Sequence, residues 1–149
     1  MVEIERARIK DHGIVSGLLI NALQANGWKP EVDRDRWDRV LAVLLDSGGW
    51  LFLLARYEDR PVGLAAVNYS LSLYGSREQA RLAAMVVEEE YRRRGIGTEL
   101  MESVLSAVRR RACRELEVVG EPGAGDVLDF YRRFNFTVER VLLARPGDA

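Results

Sequence analysis

The feature that most constrains the fold of this chain is a strand, loop and helix pattern between residues 80 and 113. The segment ARLAAMVV (80–87) is apolar apart from Arg81, and the charged run EEEYRRR (88–94) follows it. Gly95-Ile96-Gly97 then opens a segment with apolar residues at the three- and four-residue spacing of a helix. Those residues are Ile96, Leu100, Met101, Val104, Leu105 and Val108. The pattern predicts a buried strand that enters an amphipathic helix through an exposed, glycine-containing turn.

The start of this predicted helix is suited to binding an anion. The first N–H groups of a helix lack intrahelical acceptors and carry the positive end of the helix dipole. Because glycine has no Cβ, an anion can approach the backbone closely there. Residues 92–98 therefore offer consecutive N–H donors, three guanidinium groups and the Thr98 hydroxyl, a set that suits a pyrophosphate. A solvated basic turn that merely starts a helix is the alternative. Neither the P-loop pattern nor the dinucleotide-binding fingerprint is present.

The other hydrophobic patterns predict one α+β domain over residues 1–149, built on a mixed sheet of about six strands flanked by helices. Strands are predicted at 2–9, 50–57, 62–73, 80–87, 116–119 and 136–144. Helices are predicted at about 11–27, 34–46, 96–113 and 126–134. No linker or repeat divides the chain, and residues 145–149 are expected to form a flexible tail.

Composition excludes several classes of function. The 22 Lys and Arg residues nearly balance the 23 Asp and Glu residues, which argues against a dedicated nucleic-acid binder. The cluster RRRACR (109–114) is therefore read as a dipole-matched helix end, with an RNA contact as the weaker alternative. One cysteine, Cys113, and one histidine, His12, exclude a Cys/His zinc site, and no metal is expected. No apolar run of about 18 residues occurs, so we expect a cytoplasmic protein without membrane contact.

Three segments together resemble a known family. RRRGIG (92–97) matches the Q/R-x-x-G-x-G/A motif of the GNAT acetyltransferases. MVV (85–87) before it and FYRRFNF (130–136) after it resemble the companion segments of that family. The predicted element order fits as well, over roughly residues 1–145. The resemblance implies a GNAT-like acyl-CoA N-acyltransferase fold, acetyl-CoA as cosubstrate, and transfer of its acetyl group to a primary amine by direct attack in a ternary complex.

The resemblance also implies roles for individual residues. Pantetheine would pair with the backbone of Met85 and Val87, and the Val87 amide would stabilise the thioester oxyanion. The amides of residues 92–98 would hold the pyrophosphate, and Tyr131 would protonate the departing CoA thiolate. The cofactor-binding residues implied in this way are Met85, Val86, Val87, Arg92, Arg93, Arg94, Gly95, Ile96, Gly97 and Thr98. A tyrosine that only packs in the core is the alternative for Tyr131.

The amine must lose a proton before it attacks, because an alkyl ammonium has a pKa of about 10.4. Glu88 directly follows the expected oxyanion donor and is the first candidate for the general base. The resemblance implies a V-shaped gap between the strands at 82–87 and 116–119, and Glu117, on the second of these strands, is the second candidate. A surface charge without catalytic function is the alternative for Glu88.

The acceptor is less constrained by the sequence. Trp28, Tyr69 and Tyr74 are candidates for shaping its pocket, and the acceptor is expected to be a small-molecule or peptide amine. A non-catalytic acyl-CoA-binding module of the same fold, acting as a sensor or a structural unit, stays open as an alternative function. Asn135 stands where the family usually has glycine. Only one strand fits after Phe136, where the family commonly has two, and the uncovered edge leaves a homodimer open.

Overall fold

The computed structural model of this chain describes residues 1–25, 34–119 and 125–147. Its strands are β1 (Val2–Arg6), β2 (Trp50–Tyr57), β3 (Arg60–Leu71), β4 (Glu78–Val87) and β5 (Leu116–Val118). Its α-helices are α1 (His12–Ala25), α2 (Arg34–Asp46), α3 (Ile96–Arg110) and α4 (Gly125–Arg132). None of the helices in these ranges is long and apolar enough to span a membrane.

The chain divides into two compact units, Met1–Glu117 and Val118–Ala149. The sheet has the order β1-β2-β3-β4-β5, and its first four strands pair antiparallel with their neighbours. The predicted α+β class with a mixed sheet is confirmed, with five strands in the described ranges instead of about six. The expectation of a single domain over the whole chain stays a prediction.

Both faces of the central strands are covered, which explains why WLFLLARY is apolar at consecutive positions. On one face, side chains of α1 and α2 pack against alternate residues of β2 and β3. This core contains Ala7, Val15, Leu18, Leu41, Leu45, Phe52, Leu54, Leu64 and Ala66. On the other face lies α3, whose Leu100 Cδ1 approaches the backbone of β3 at Gly63. Leu100 is fully buried. The periodicity that predicted α3 is thus the periodicity of its buried face.

A two-residue turn joins β2 to β3. Glu58 and Asp59 both have left-handed backbones, with φ of 49° and 66°. Two successive left-handed residues form a type I′ turn, whose twist matches that of the flanking strands. Tyr57 and Arg60 pair across this turn. Their side chains therefore stand together at the end of the sheet.

The second unit contains α4 and the chain that follows it. Phe136 N–H donates to the Tyr131 carbonyl at 3.3 Å, and Asn135 has a φ of 67°. This is the pattern of a Schellman-type helix end, in which asparagine serves in place of glycine. The rings of Phe130, Tyr131, Phe134 and Phe136 contact one another with centroid separations of 5.3 to 5.6 Å.

The predicted strand at 136–144 is wrong. Residues 136–147 form no regular secondary structure. Val138, Val141 and Leu143 are 79%, 86% and 91% exposed. An alternating apolar pattern becomes a strand only where a second strand accepts its backbone hydrogen bonds, and among the described residues no strand pairs with this segment. Of the tail expected at 145–149, residues 148 and 149 lie outside the described ranges.

Replacement of Gly63 by alanine tests how closely α3 packs on the sheet. A Cβ at this position would lie 3.1 Å from the Val86 carbonyl oxygen and 3.2 Å from Leu100 Cδ1. We expect the free energy of unfolding to fall by about 1–3 kcal/mol, as in overpacked cores. Gly48→Ala is the matched control, because its Cβ would meet nothing within 4 Å. Equal denaturation midpoints for the two variants would contradict this packing.

Candidate functional site

The backbone at the end of β4 presents unpaired donors. Glu88 N–H donates to the Val62 carbonyl at 2.8 Å, so the backbone of Glu88 faces β3. In an antiparallel pair, successive residues direct their N–H and C=O groups to opposite sides. The backbone N–H groups of Met85 and Val87 therefore point away from β3, toward the side on which the sheet order places β5.

Strand β5 is too short to use all of these groups. The residues before it join the start of β4, where Arg114 N–H donates to the Glu78 carbonyl at 2.7 Å and Ala80 N–H donates to the Glu115 carbonyl at 2.9 Å. Strand β5 itself has three residues, whereas β4 has ten. In the described part of the chain, the last residues of β4 thus extend beyond β5. An extended ligand can pair with this edge as an additional strand does.

The helix that follows β4 begins at a left-handed glycine. Gly95 is the N-cap of α3 with φ of 78° and ψ of 8°, and its carbonyl accepts from Glu99 N–H at 3.0 Å. No side chain caps this helix start. The N–H groups of residues 96–98 therefore have no acceptor within the helix and carry the positive end of its dipole. A Cβ at Gly95 would meet nothing within 4 Å, so the space beside this backbone is open.

The three predicted cofactor-binding arginines make different contacts. Arg92 Nε donates to the Val87 carbonyl at 3.2 Å. Arg93 is exposed and has a left-handed backbone with φ of 63°. The Arg94 guanidinium lies 5.4 Å from the ring centroid of Tyr57 and 5.2 Å from that of Tyr91. All three residues carry a positive charge, but their side chains make different contacts. Their contact with a pyrophosphate stays a prediction.

Both candidate bases are held by arginines. Glu88 Oε2 lies 3.5 Å from Arg60 Nη2, and because Arg60 belongs to β3, the Glu88 carboxylate lies on the β3 side of β4. Glu117 Oε1 lies 2.7 Å from Arg81 Nη2. Sequence reasoning missed both partners, since a lone arginine in a strand has the pattern of a solvated charge. The partners are 28 and 36 residues apart in the sequence, so no local pattern indicates either pair.

Tyr131, the predicted acid, belongs to the second unit, whereas Val87 and the helix start belong to the first. Its ring contacts those of Phe130 and Phe136. Burial raises the pKa of Tyr131 above the usual value for tyrosine, because the phenolate is poorly solvated there. The phenol is therefore protonated at neutral pH, as a proton donor requires. The aromatic contacts also agree with the alternative of a packing tyrosine.

Two of the three predicted acceptor residues, Tyr69 and Tyr74, lie in the described ranges and have different surroundings. Tyr69 is buried under the Arg111 guanidinium, 3.9 Å from its ring centroid. It lines a groove of about 750 Å³ between α3 and the neighbouring strands. Tyr74 is 90% exposed in the turn between β3 and β4. Trp28 lies outside the described residues. Within the described ranges, no three His, Cys, Asp or Glu side chains gather as metal ligands.

Comparison with known proteins gives a family match over most of the chain. A family model described as the acetyltransferase (GNAT) family matches residues 18–136. An uncharacterized N-acetyltransferase of Methanocaldococcus jannaschii is 30% identical over 109 residues. That alignment covers 72% of this chain and 47% of the archaeal protein, so the chain spans about half the length of this relative.

Solved structures share the fold at low identity. An aminoglycoside acetyltransferase from an uncultured soil metagenomic sample, in complex with sisomicin, superposes with a TM-score of 0.83 at 20% identity, covering 99% of this chain and 96% of that one. The ribosomal-protein-alanine N-acetyltransferase of Brucella melitensis biovar Abortus 2308 superposes with a TM-score of 0.82 at 17% identity, covering 98% of this chain and 99% of that one. A predicted acetyltransferase of Clostridium acetobutylicum, solved with acetyl-CoA, superposes with a TM-score of 0.82 at 17% identity, covering 98% of this chain and 96% of that one.

Substitution of Gly95 tests the backbone geometry of the helix start. Gly95→Ala should lower the free energy of unfolding by about 1–2 kcal/mol, because a Cβ disfavours the left-handed conformation. Gly95→Asn should lose less, since asparagine tolerates this conformation better than alanine does. Chemical denaturation of the three proteins measures the differences. An alanine variant as stable as the parent would contradict the left-handed assignment.

Proposed function

The chain belongs to the GNAT acetyltransferase family, and we propose that it transfers the acetyl group of acetyl-CoA to a primary amine by direct attack in a ternary complex. The observation that carries the proposal is that two sets of free backbone N–H donors follow each other along the chain, one at the end of β4 and one at the start of α3. The outward N–H groups of Met85 and Val87 suit the amides of pantetheine, and the uncapped start of α3 suits a diphosphate. CoA carries these two groups in one extended molecule.

The outward Val87 amide is the proposed oxyanion donor. When the amine nitrogen attacks the thioester carbonyl carbon, the carbonyl oxygen gains negative charge, and a preorganised N–H stabilises that charge. Arg92 Nε donates to the Val87 carbonyl, which belongs to the next peptide unit along the chain, so this contact restrains the backbone directly after the proposed donor. The C–S bond then breaks, and the sulfur leaves as a thiolate that needs a proton.

Tyr131 is the proposed source of that proton. Its raised pKa keeps the phenol protonated at neutral pH, so it can donate to the thiolate. Glu88 is the first candidate for accepting the proton of the amine, through water, since it follows Val87 directly. Its Oε2 lies 3.5 Å from Arg60 Nη2, at the exposed end of the sheet. Glu117 is the second candidate.

The acceptor is proposed to be a small-molecule or peptide amine. The similar solved structures include an aminoglycoside acetyltransferase and a ribosomal-protein-alanine N-acetyltransferase, whose names cover both classes. Fold similarity does not select between them, because acceptor loops vary within a fold. Time-dependent release of free CoA from acetyl-CoA with a panel of both amine classes tests the function. CoA binding without release for any amine would favour a non-catalytic acyl-CoA-binding module.

Tyr131→Phe removes the proposed proton donor and keeps the ring contacts. We expect kcat to fall about 100-fold or more, the usual contribution of a positioned general acid, with KM for acetyl-CoA unchanged. Leu143→Ala is the control, because Leu143 is 91% exposed and its truncation should keep full activity. Steady-state kinetics at pH 7 gives both values. Full kcat in Tyr131→Phe would leave the tyrosine a packing role only.

Glu88→Gln keeps the shape of the proposed base and removes its proton affinity. The expected result is a fall in kcat/KM of about 100-fold near neutral pH, since a protonated amine cannot attack. The loss should shrink at high pH, where a larger fraction of the free amine is already neutral. Glu89→Gln is the matched neighbouring control. If Glu88→Gln retained the parental kcat/KM across the pH range, Glu88 would not be the base and Glu117 would be tested next.

A further inference from the structure

We infer that Tyr57 and Tyr91 are positioning residues for the predicted diphosphate-binding loop, and that they act through Arg94. The inference rests on the proposed function, because it assigns a purpose to contacts beside the proposed CoA site. Neither tyrosine belongs to the three segments that resemble the family. We call Tyr57, Arg60, Tyr91 and Arg94 the ring clamp.

The ring clamp joins the turn between β2 and β3 to the loop before α3. The rings of Tyr57 and Tyr91 lie 5.8 Å apart at an interplanar angle of 54°. The Arg94 guanidinium carbon lies 5.4 Å from the Tyr57 ring centroid and 5.2 Å from the Tyr91 ring centroid. The Arg60 guanidinium carbon lies 5.4 Å from the Tyr91 ring centroid. All three distances are within the range of cation–π attraction.

One side of the ring clamp is fixed by the sheet. Tyr57 and Arg60 are paired across the type I′ turn, so their positions follow from the register of β2 and β3. Arg60 also contacts the Glu88 carboxylate at 3.5 Å, which ties the first residue of the loop to the same turn. The turn therefore provides a rigid support for residues 88–95.

The other side of the ring clamp determines where the helix start lies. Arg94 directly precedes Gly95, and Arg93 directly before it has a left-handed backbone with φ of 63°. A non-glycine residue keeps such a conformation only where the surroundings hold it. Two aromatic contacts on Arg94 provide that restraint. They hold the backbone that leads into the free N–H groups of residues 96–98 in a single conformation before a ligand binds.

This arrangement gives Arg94 a different role from a direct phosphate ligand. Its side chain is used in ring contacts, and the anion is held by the amides that the ring clamp positions. Loss of a ring should therefore weaken binding of the diphosphate part of CoA only. The pantetheine part binds at β4, whose backbone orientation is fixed by β3.

The test compares Tyr91→Leu and Tyr57→Leu with Tyr91→Phe, and uses Leu143→Ala as the control at a side chain that is 91% exposed. Each variant is measured with acetyl-CoA and with S-acetylpantetheine, which lacks the diphosphate. Tyr57→Leu loses one cation–π contact and Tyr91→Leu loses two, so KM for acetyl-CoA should rise about threefold and about tenfold, with kcat within about twofold of the parent. Tyr91→Phe and Leu143→Ala should match the parent. With S-acetylpantetheine, all variants should match the parent.

Three results would overturn the inference. The first is an unchanged KM for acetyl-CoA in both ring-clamp leucine variants. The second is an equal loss with S-acetylpantetheine, which would indicate general damage to the fold. The third is a loss in Tyr91→Phe as large as in Tyr91→Leu, which would assign the effect to the hydroxyl group.

Calorimetric dissociation constants for CoA and for pantetheine separate this inference from the proposed catalysis. If the parent protein binds CoA but releases none from acetyl-CoA with any amine, the proposed transfer fails. The ring clamp is then tested by binding alone. A tenfold weaker binding of CoA to Tyr91→Leu, with pantetheine binding unchanged, supports the inference, and equal binding of CoA to both proteins overturns it.

Discussion

The register between β3 and β4 is the constraint on which the candidate site depends. One hydrogen bond, from Glu88 N–H to the Val62 carbonyl, fixes which side of β4 each of the preceding residues uses for its backbone. A shift of one residue would turn the Val87 N–H toward β3 and remove the proposed oxyanion donor. The same register places Glu88 beside Arg60 at the end of the sheet. The packing of α3 against Gly63 stabilises the strands in this arrangement from one face.

The loop between β4 and α3 connects the strand end that this register orients to the candidate anion site at the start of α3. It reverses the chain through two left-handed residues, Arg93 and Gly95, and delivers the start of α3 with its N–H groups free. The left-handed conformation has a different energetic cost at the two residues, because glycine adopts it without strain and arginine does not. The aromatic contacts of Arg94 lie between them. A flexible loop would lose entropy on binding a diphosphate, whereas a held loop has lost it on folding.

Much of the fold and part of the site could be predicted from the sequence. The strand at 80–87 and the helix from Ile96 could be predicted because the apolar residues of each recur at the spacing of its own secondary structure. The strand at 136–144 was not, since the alternation of Val138 and its neighbours shows only that a strand is compatible with the pattern. The ring clamp was missed because Tyr57 and Tyr91 are distant in sequence and become neighbours only through the sheet. The arginine partners of Glu88 and Glu117 were missed for the same reason.

The most direct test of the account follows the backbone amides themselves in a ¹⁵N-labelled sample titrated with CoA and, separately, with pantetheine. The account predicts that CoA shifts the amide resonances of Val87 and of residues 95–98, the outward end of β4 and the start of α3. Pantetheine should shift Val87 and leave residues 95–98 unchanged, because it lacks the diphosphate. If saturating CoA left the amide resonances of residues 95–98 unshifted, that result would contradict the central claim that the helix start holds the anion.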